Sequence, residues 1–253
     1  MTFQDFLDIK KKEIVQSTHR SILAIDTSTQ LASVCLLFQG KPLFSEECFR
    51  QKSHSEWIND AVERAINSIP GGWDSIDVIA VTKGPGSFTG LRVATNLVKT
   101  MSYIKNKPVV AMSSLDILAH QSAEIKETNY ILTVINAFKN MVFFSLYQRD
   151  ESGKIQQVIE AKAVEIIELQ TQLPIKSKFQ VIGDGYLAYK SYLDSQVDPK
   201  WIRANEIKDY PLASKLAQMV DLNWTKVELV NWKYLIPTYL RASAAEENQL
   251  LKK

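Results

Sequence analysis

The order of strand-like and helix-like runs between residues 22 and 111 constrains the fold of this chain most strongly. Three short apolar runs begin at Ile22, Val34 and Leu43, and each of the two connections between them carries turn residues. Three strands joined by such tight turns are typical of an antiparallel meander. We therefore expect these three strands to be neighbours in one sheet.

Two helices alternate with two further strands after this meander. Apolar residues recur at helical spacing over 58–69 and again over 91–104. The apolar runs at 76–82 and 108–111 have the length of buried strands. The order β-β-β-α-β-α-β predicts an α/β fold in which a mixed sheet carries helices on its faces.

The second half of the chain repeats this order less regularly. Strand-like runs cover 131–135, 141–147, 155–160 and 179–182, and helical segments start at Ser113, cover 163–173 and extend over 212–224. Residues 1–20 read as an amphipathic helix or a loose leader. A chain of 253 residues is long enough for one large domain or for two modest lobes.

Composition excludes several classes of function. The hydrophobic fraction of 45% and the charged fraction of 23% are ordinary for a soluble globular protein, and a net charge of +2 gives no strong attraction to nucleic acid. No apolar run approaches the roughly 18 residues that span a bilayer, and the N-terminal charge order is the reverse of a secretory signal. Cys35 and Cys48 lie in apolar strand-like runs, so we expect free thiols and a cytoplasmic protein.

Five segments, taken in chain order, resemble one known family. They are Ile22-Leu-Ala-Ile-Asp-Thr-Ser-Thr29, His54-Ser-Glu56, Lys83-Gly-Pro-Gly-Ser-Phe-Thr-Gly-Leu-Arg92, Val181-Ile-Gly-Asp-Gly185 and Pro237-Thr-Tyr-Leu-Arg241. The third segment is the most specific of them. Together they are similar to the TsaB family, formerly called YeaZ, over nearly the whole chain.

The resemblance implies a two-lobed ASKHA fold, the architecture of actin, Hsp70 and sugar kinases, with mixed sheets flanked by helices and a reduced second lobe. It implies an N-terminal extension at 1–20, a first lobe at 21–112, a second lobe at 113–210, and a C-terminal helix and tail at 211–253 that pack back on the first lobe. These boundaries are expectations that follow from the resemblance and the element order.

The resemblance also implies a function. A TsaB-type chain is a non-catalytic subunit that binds and activates the TsaD transferase, which places threonylcarbamoyl on adenosine 37 of tRNAs reading ANN codons (t6A). A TsaE-type ATPase joins the pair, tRNA is an indirect partner, and the chain alone could form a homodimer. We expect no cofactor or metal in the isolated chain, whereas ATP or ADP with Mg²⁺ could bind at the level of the complex.

The resemblance places the TsaD-binding face on the two helices of the first lobe. The predicted interface residues are His54, Trp57, Ile58, Ala61, Val62, Ala65, Leu91, Ala94, Thr95 and Val98. Small side chains among them would let a partner helix approach closely. The alternative is that these apolar stripes simply pack against the chain's own core.

The turn after the first strand offers a possible nucleotide site. Asp26, Thr27 and Ser28 stand where ASKHA enzymes hold phosphate or its metal, and a carboxylate with two hydroxyls could bind Mg²⁺ through water. The same three residues also suit an Asx-type turn that satisfies its own backbone. We favour the turn, since no second phosphate-binding element is apparent.

Gly84, Gly86 and Ser87 precede the second helix and could cradle an anion on free N–H groups. The segment lacks the Gly-Lys-Ser/Thr ending of a P-loop. The alternative is geometric, with glycines for the bend, Ser87 as helix N-cap and Gly90 for close approach of another backbone. We favour the geometric interpretation. If the phosphate interpretation held, the chain would be an ATP-binding, kinase-like ASKHA enzyme.

His54 could indicate a metal site or a glycoprotease-like peptidase. Zinc requires three or four ligands, and the chain has only three histidines and no His-x-x-x-His pair. The spacing of Ser53 and Glu56 instead predicts a capping box.

The second lobe departs from the family pattern, since Asn136-Ala137-Phe138 replaces its usual Asp-Ala-Arg. The exchange removes a carboxylate and a guanidinium, which puts in doubt any polar site in the second lobe.

Overall fold

A computed structural model of the chain describes residues 3–16, 20–49, 54–122, 124–174, 177–195, 200–203 and 208–241. The chain forms two compact units. Unit 1 comprises Met1–Ile117 and Pro211–Pro237, and unit 2 comprises Leu118–Tyr210 and Thr238–Lys253. Within the described ranges, no helix is long and apolar enough to cross a bilayer.

The first half of the chain supplies most of unit 1. Its elements are α1 (Phe3–Gln16), β1 (Ser21–Asp26), β2 (Leu31–Phe38), β3 (Lys41–Phe49), α2 (His54–Asn67), a 3₁₀ turn (Gly72–Ser75), β4 (Val78–Gly84), α3 (Phe88–Lys105), β5 (Val109–Ser113) and α4 (Ser114–Gln121). The five strands form one sheet in the order β3-β2-β1-β4-β5. β1 is antiparallel to β2 and parallel to β4, so the predicted mixed sheet is confirmed.

The second half supplies unit 2 and returns to unit 1 at its end. Its elements are β6 (Tyr130–Phe138), β7 (Met141–Arg149), β8 (Ile155–Glu165), a 3₁₀ helix (Ile166–Gln172), β9 (Lys178–Ile182), α5 (Asp184–Ala188), α6 (Lys190–Ser195), β10 (Lys200–Ile202), α7 (Ala213–Leu222) and a 3₁₀ turn (Trp232–Tyr234). The sheet order is β10-β9-β6-β7-β8. Counted from the first strand of each unit, both sheets follow the order 3-2-1-4-5, which confirms the duplicated α/β architecture.

Strand β1 lies at the centre of the first sheet because both of its faces are apolar. Leu23 and Ile25 face the core beneath α2 and α3, whereas Ile22 and Ala24 face the core beneath α7. All four side chains are fully buried. The strand predicted from this short, uninterrupted apolar run is therefore confirmed, and both of its faces are covered.

Two details of unit 2 differ from the sequence prediction. The strand predicted at 155–160 continues to Glu165, which pairs with Met141 on β7. The predicted helical segment at 163–173 accordingly begins at Ile166 and is a 3₁₀ helix. Apolar and polar residues alternate over 159–163 as in a half-exposed strand, so the strand pattern reaches the point where a helix was expected.

A segment near each end of the chain belongs to unit 1. The N-terminal segment is a helix, α1, whose Leu7 is 1% exposed and whose Lys11 Nζ donates to the Val227 carbonyl oxygen at 2.7 Å. Near the C-terminus, Val230 forms a bridge with Val109 of β5. The segment 211–253, predicted to pack back on the first lobe, belongs to unit 1 only as far as Pro237. Arg241 belongs to unit 2, where its guanidinium donates to the Ala137 carbonyl oxygen at 3.0 Å.

Candidate functional site

The turn that follows β1 is closed on itself. Asp26, Thr27 and Ser28 are at most 1% exposed. The Ser28 hydroxyl donates to Asp26 Oδ1 at 2.7 Å, and the Ser28 N–H points at the same carboxylate at 3.4 Å. The carboxylate is thus committed to the Asx-type turn that the sequence favoured.

The start of α3 packs directly against this turn. The Ser87 N–H donates to the Ser28 carbonyl oxygen at 2.7 Å, and the Thr27 hydroxyl donates to the Gly90 carbonyl oxygen at 2.6 Å. A Cβ added at Gly86 would lie 2.1 Å from the Ser28 carbonyl oxygen, and one at Gly90 would lie 1.9 Å from that of Thr27. The two backbones approach so closely that only glycine fits at either position, as predicted for Gly90.

We call this contact between residues 26–28 and 84–90 the β1–α3 joint. It brings together all six nucleotide-site candidates: Asp26, Thr27, Ser28, Gly84, Gly86 and Ser87. Gly84 adopts a φ of +107°, and the Ser87 hydroxyl accepts from the Gly90 N–H at 3.3 Å, so the predicted glycine bend and N-cap are confirmed. The side chains that could have met a phosphate hydrogen-bond to one another or to the backbone.

The buried carboxylate in the joint has an altered acidity. Burial raises the pKa of Asp26 to about 6, and the hydrogen bonds that it accepts from Ser28 oppose part of this increase. A phosphate or a nucleotide placed here would bring further negative charge next to a carboxylate that is already desolvated. In the part of the chain that the structure describes, no group of three His, Cys, Asp or Glu side chains could hold a metal ion.

Most of the predicted partner-interface residues lie inside unit 1. The eight that are at most 5% exposed are Ile58, Ala61, Val62, Ala65, Leu91, Ala94, Thr95 and Val98. All eight belong to unit 1, and none exposes enough surface to contact another protein. All except Leu91 and Thr95 belong to the apolar core beneath α2 and α3. The interface prediction is therefore wrong for these side chains, because the helical stripe packs against β1, β2 and β4. Trp57 is half-buried, and the His54 side chain and Ser53 lie outside the described residues.

The opposite faces of the same two helices are exposed. On α2 this face is acidic, with Glu56, Asp60 and Glu63 exposed. On α3 the positions opposite the core are mainly polar, with Arg92, Asn96 and Thr100 exposed, and an apolar strip runs along one flank. We call Val93, Leu97, Thr100 and Ile104 the α3 outer face, because residues at these spacings share one side of a helix. Ile104 is 65% exposed, whereas Val93 and Leu97 are half-buried and also pack against the core of unit 1.

Unit 2 contains a buried polar cluster at the end of β9, in the lobe where the Asn136–Phe138 exchange put a polar site in doubt. Asp184 accepts from the Asn136 N–H at 3.0 Å, and Asp209 accepts from the Gly183 N–H at 2.9 Å. Arg203 binds both oxygens of Asp209, at 2.8 and 2.6 Å. Burial, together with the nearby charge of Asp209, raises the pKa of Asp184 to about 7. Gly183 and Asp184 belong to the recognised segment 181–185, whereas Arg203 and Asp209 belong to none, so the sequence did not indicate which side chains the segment would meet.

Known proteins similar to this chain were found by family, by sequence and by structure. A family model described as TsaD, tRNA N6-adenosine threonylcarbamoyltransferase, matches residues 49–249. The tRNA threonylcarbamoyladenosine biosynthesis protein TsaB of Haemophilus influenzae is 26% identical over 228 residues, which cover 87% of this chain and 93% of that protein. The TsaB protein of Bacillus subtilis is 27% identical over 227 residues, which cover 89% and 96%.

The structural comparison agrees with the fold described above. YeaZ from Pseudomonas aeruginosa aligns with a TM-score of 0.73 at 23% identity, over 87% of this chain and 100% of that one. The fold is therefore shared, as the resemblance implied. Since the family model spans well over half of the 253 residues and the relatives align along nearly their whole lengths, the chain belongs to the TsaD-type threonylcarbamoyltransferase family and, within it, to the TsaB (YeaZ-type) group.

Proposed function

We propose that this chain acts in the biosynthesis of threonylcarbamoyladenosine in tRNA, as the TsaB-type subunit that binds and activates a TsaD-type transferase. Its substrate at the level of the complex is adenosine 37 of tRNAs reading ANN codons, and a TsaE-type ATPase joins the pair. The observation that carries the proposal is the alignment with TsaB proteins over 93% and 96% of their lengths. The two free cysteines fit a reducing, cytoplasmic setting.

The β1–α3 joint supports a non-catalytic role. An ATP-binding enzyme of this fold needs an open turn after the first strand, whereas here the Ser28 carbonyl oxygen and the Asp26 carboxylate already have donors from the chain itself. Opening the joint would leave these buried groups without partners, which costs about 1–3 kcal/mol for each. We infer that the chain contributes binding surface to the complex and leaves the chemistry to its partner.

Calorimetry with Mg-ATP distinguishes this role from the kinase-like alternative. We expect no saturable heat from the isolated chain, because the joint leaves no donor set for a triphosphate. Tight binding that disappears in Asp26→Ala would contradict the proposal and favour an ATP-binding enzyme. Asp116→Ala, in which a half-exposed carboxylate on α4 is removed, is the control for a general loss of negative charge.

The α3 outer face is the surface that we propose for TsaD. The family model describes the transferase itself and matches this chain over 49–249, so the two subunits share a fold. Chains of one fold commonly associate through equivalent faces, as in isologous dimers. The α3 outer face combines exposed apolar area with small polar Thr100, whereas the neighbouring α2 face is acidic. Self-association through the same face would give the homodimer expected when TsaD is absent.

Replacing Ile104 with aspartate is expected to weaken the TsaD pair at least roughly tenfold, which corresponds to about 1.4 kcal/mol. The physical reason is that a carboxylate would be desolvated without a partner in an apolar contact. The loss of affinity is measured by titrating TsaD with the variant and detecting the complex by size exclusion at micromolar concentration. Because Ile104 is 65% exposed, the variant should fold normally.

Leu222→Asp is the matched control, since Leu222 is 84% exposed at the end of α7, on the other side of the first sheet. Equal weakening by both variants, or by neither, would place the interface elsewhere. Ala61→Arg and Ala94→Arg do not test the interface, because both alanines are fully buried in unit 1 and either change would disrupt its core. Reconstituted tRNA modification with and without the chain tests activation directly.

A further inference from the structure

Unit 2 contains a cavity that the proposed partner role does not use. Its volume is about 510 Å³, within the range of small-molecule sites. It lies at the end of the second sheet where β6 begins, bordered by residues 124–129, by the end of β7 and by Gln180 of β9. Polar side chains dominate its lining, which distinguishes it from a packing defect in an apolar core.

Gln180 gives the cavity an unused hydrogen-bond donor. The residue is 2% exposed, and its side-chain Nε2 has no hydrogen-bond partner among the described residues. Gln180 pairs with Ile131, and both residues line the cavity. A buried amide N–H without an acceptor costs about 1–3 kcal/mol, so an acceptor placed in the cavity would recover that cost.

Arg149 contributes positive charge on the same side of the sheet. It lies two residues beyond Tyr147, which pairs with Ile131, so its side chain shares the face of Ile131 and Gln180. Its Nη2 donates to the carbonyl and hydroxyl oxygens of Ser122, at 3.0 and 2.8 Å. Its guanidinium forms no ion pair with a carboxylate in the described ranges. The unpaired Nε2–H of Gln180 and the positive charge of Arg149 together favour a ligand whose hydrogen-bond acceptor is a carboxylate.

The wall of the cavity is held in place by hydrogen bonds. The Thr128 hydroxyl donates to the Lys178 carbonyl oxygen at 2.6 Å and accepts from the Tyr130 N–H at 2.9 Å. The Arg149 N–H donates to the Asn129 carbonyl oxygen at 2.8 Å. These bonds join the 128–130 segment to β9 on one side and to β7 on the other, so this part of the cavity is preformed.

The charges of the lining favour a zwitterion over a simple anion. Two basic side chains, Lys126 and Arg149, face three acidic ones, Glu124, Asp150 and Glu151. Asp150 already accepts from Ser152 and Lys154 in its own turn, whereas Glu124 and Glu151 are exposed. A phosphate dianion would meet this excess of negative charge, whereas an ammonium group would be attracted by it.

We propose that this cavity binds a small zwitterion of the α-amino-acid class. Its carboxylate accepts from Gln180 Nε2 and lies next to Arg149, and its ammonium faces Glu124 and Glu151. Binding satisfies the buried amide and places each charge of the ligand near the opposite charge of the protein. The site is independent of the α3 outer face, so its failure leaves the proposed TsaD pairing untouched.

The test is a titration of the ¹⁵N-labelled full chain with the L-α-amino acids, followed by NMR. We expect saturable shifts of the Gln180 side-chain amide and of the Arg149 backbone amide for at least one of them. For alanine as the probe, the decarboxylated form ethylamine should give no such shift, and the deaminated form propionate should bind more weakly. Gln180→Met, which keeps the length of the side chain, should weaken binding at least roughly tenfold, as expected for the loss of one charge-assisted hydrogen bond.

Gln172→Met is the matched control, because Gln172 is exposed at the end of a 3₁₀ helix, outside the cavity. Arg149→Gln, at a half-exposed position, removes the positive charge beside the ligand carboxylate and should also weaken binding, which provides a second test should Gln180→Met fold poorly. The proposal is overturned if no amino acid shifts the Gln180 amide, if ethylamine binds as tightly as alanine, or if both cavity variants bind like the control.

Discussion

Replacing Gly90 with alanine is expected to destabilise unit 1 by more than about 4 kcal/mol, at the extreme end of single substitutions. A methyl group at this position would lie 1.9 Å from the Thr27 carbonyl oxygen and 3.2 Å from its carbon. Both are backbone atoms at the end of the central strand, so no side-chain rotation relieves the overlap. The β1–α3 joint would have to open, and its hydrogen bonds would be lost.

Helix propensity alone predicts that Gly90→Ala stabilises the protein. Gly90 lies in the first turn of α3, and glycine in a helix is less stable than alanine by about 1 kcal/mol. The steric overlap exceeds this gain several-fold, so the close approach decides the outcome. Urea denaturation, followed by circular dichroism, measures the change, and loss of soluble protein would be the same result in its most severe form.

Gly153→Ala separates the overlap from the general effect of removing a glycine. Gly153 lies in an exposed turn with a φ of +82°, and an added Cβ would meet no atom within 4 Å. We expect a cost of roughly 1–2 kcal/mol from the left-handed backbone alone. If Gly90→Ala were no worse than Gly153→Ala, the joint would not hold the two backbones together as described.

The sequence predicts the β1–α3 joint well because its chemistry is local. A buried strand, an Asx-type turn, a glycine bend and a serine N-cap each have a short-range signature. Gly90 could be identified as a point of close approach, since glycine in the first turn of a helix has little other purpose. The partner backbone that it meets, at Thr27, is 63 residues away and was not predicted from the sequence.

The predicted TsaD-binding face shows why the helical spacing of apolar residues does not locate an interface. Helical periodicity identifies an apolar stripe, but it does not tell whether the chain's own sheet or a second protein covers that stripe. In α2 and α3 the sheet covers it, and Ala61 and Ala94 have no exposed surface. The same periodicity also includes Ile104, which is 65% exposed, so membership of the stripe does not distinguish a core residue from a surface residue.

In both units, glycines that follow the fourth strand lie against the backbone of the first strand or of the turn after it. In unit 1, Gly86 and Gly90 follow β4 and lie against the backbone after β1. In unit 2, Gly183 follows β9, and a Cβ there would lie 2.0 Å from the Val134 carbonyl oxygen on β6. Each fourth strand therefore leads into a helix that closes on the first strand of its sheet. The sequence showed this duplication only as a rough repetition of the order of strands and helices, because the equivalent segments share strand order and glycine contacts but few residues.

Replacing Asp184 with asparagine is expected to stabilise the chain at high pH and to leave it nearly unchanged at low pH. Burial raises the pKa of this carboxyl from 3.8 to about 7. Between these two values the folded chain holds a proton that the unfolded chain has released, so stability falls as the pH rises. A pKa difference of this size corresponds to roughly 4 kcal/mol once the pH exceeds the folded pKa. An asparagine side-chain oxygen can still accept from the Asn136 N–H.

Denaturant midpoints measured from about pH 5 to about pH 8 test the sign as well as the size. The unmodified chain should lose stability across this range, and Asp26, with a pKa of about 6, adds to the loss in its lower part. Asp184→Asn should retain only the Asp26 contribution. Asp150→Asn is the control, because the hydrogen bond from Ser152 lowers the pKa of that exposed carboxyl, so it titrates below this range. Equal slopes for the unmodified chain and Asp184→Asn would mean that Asp184 is already ionised in the folded protein, held by its backbone donors despite burial.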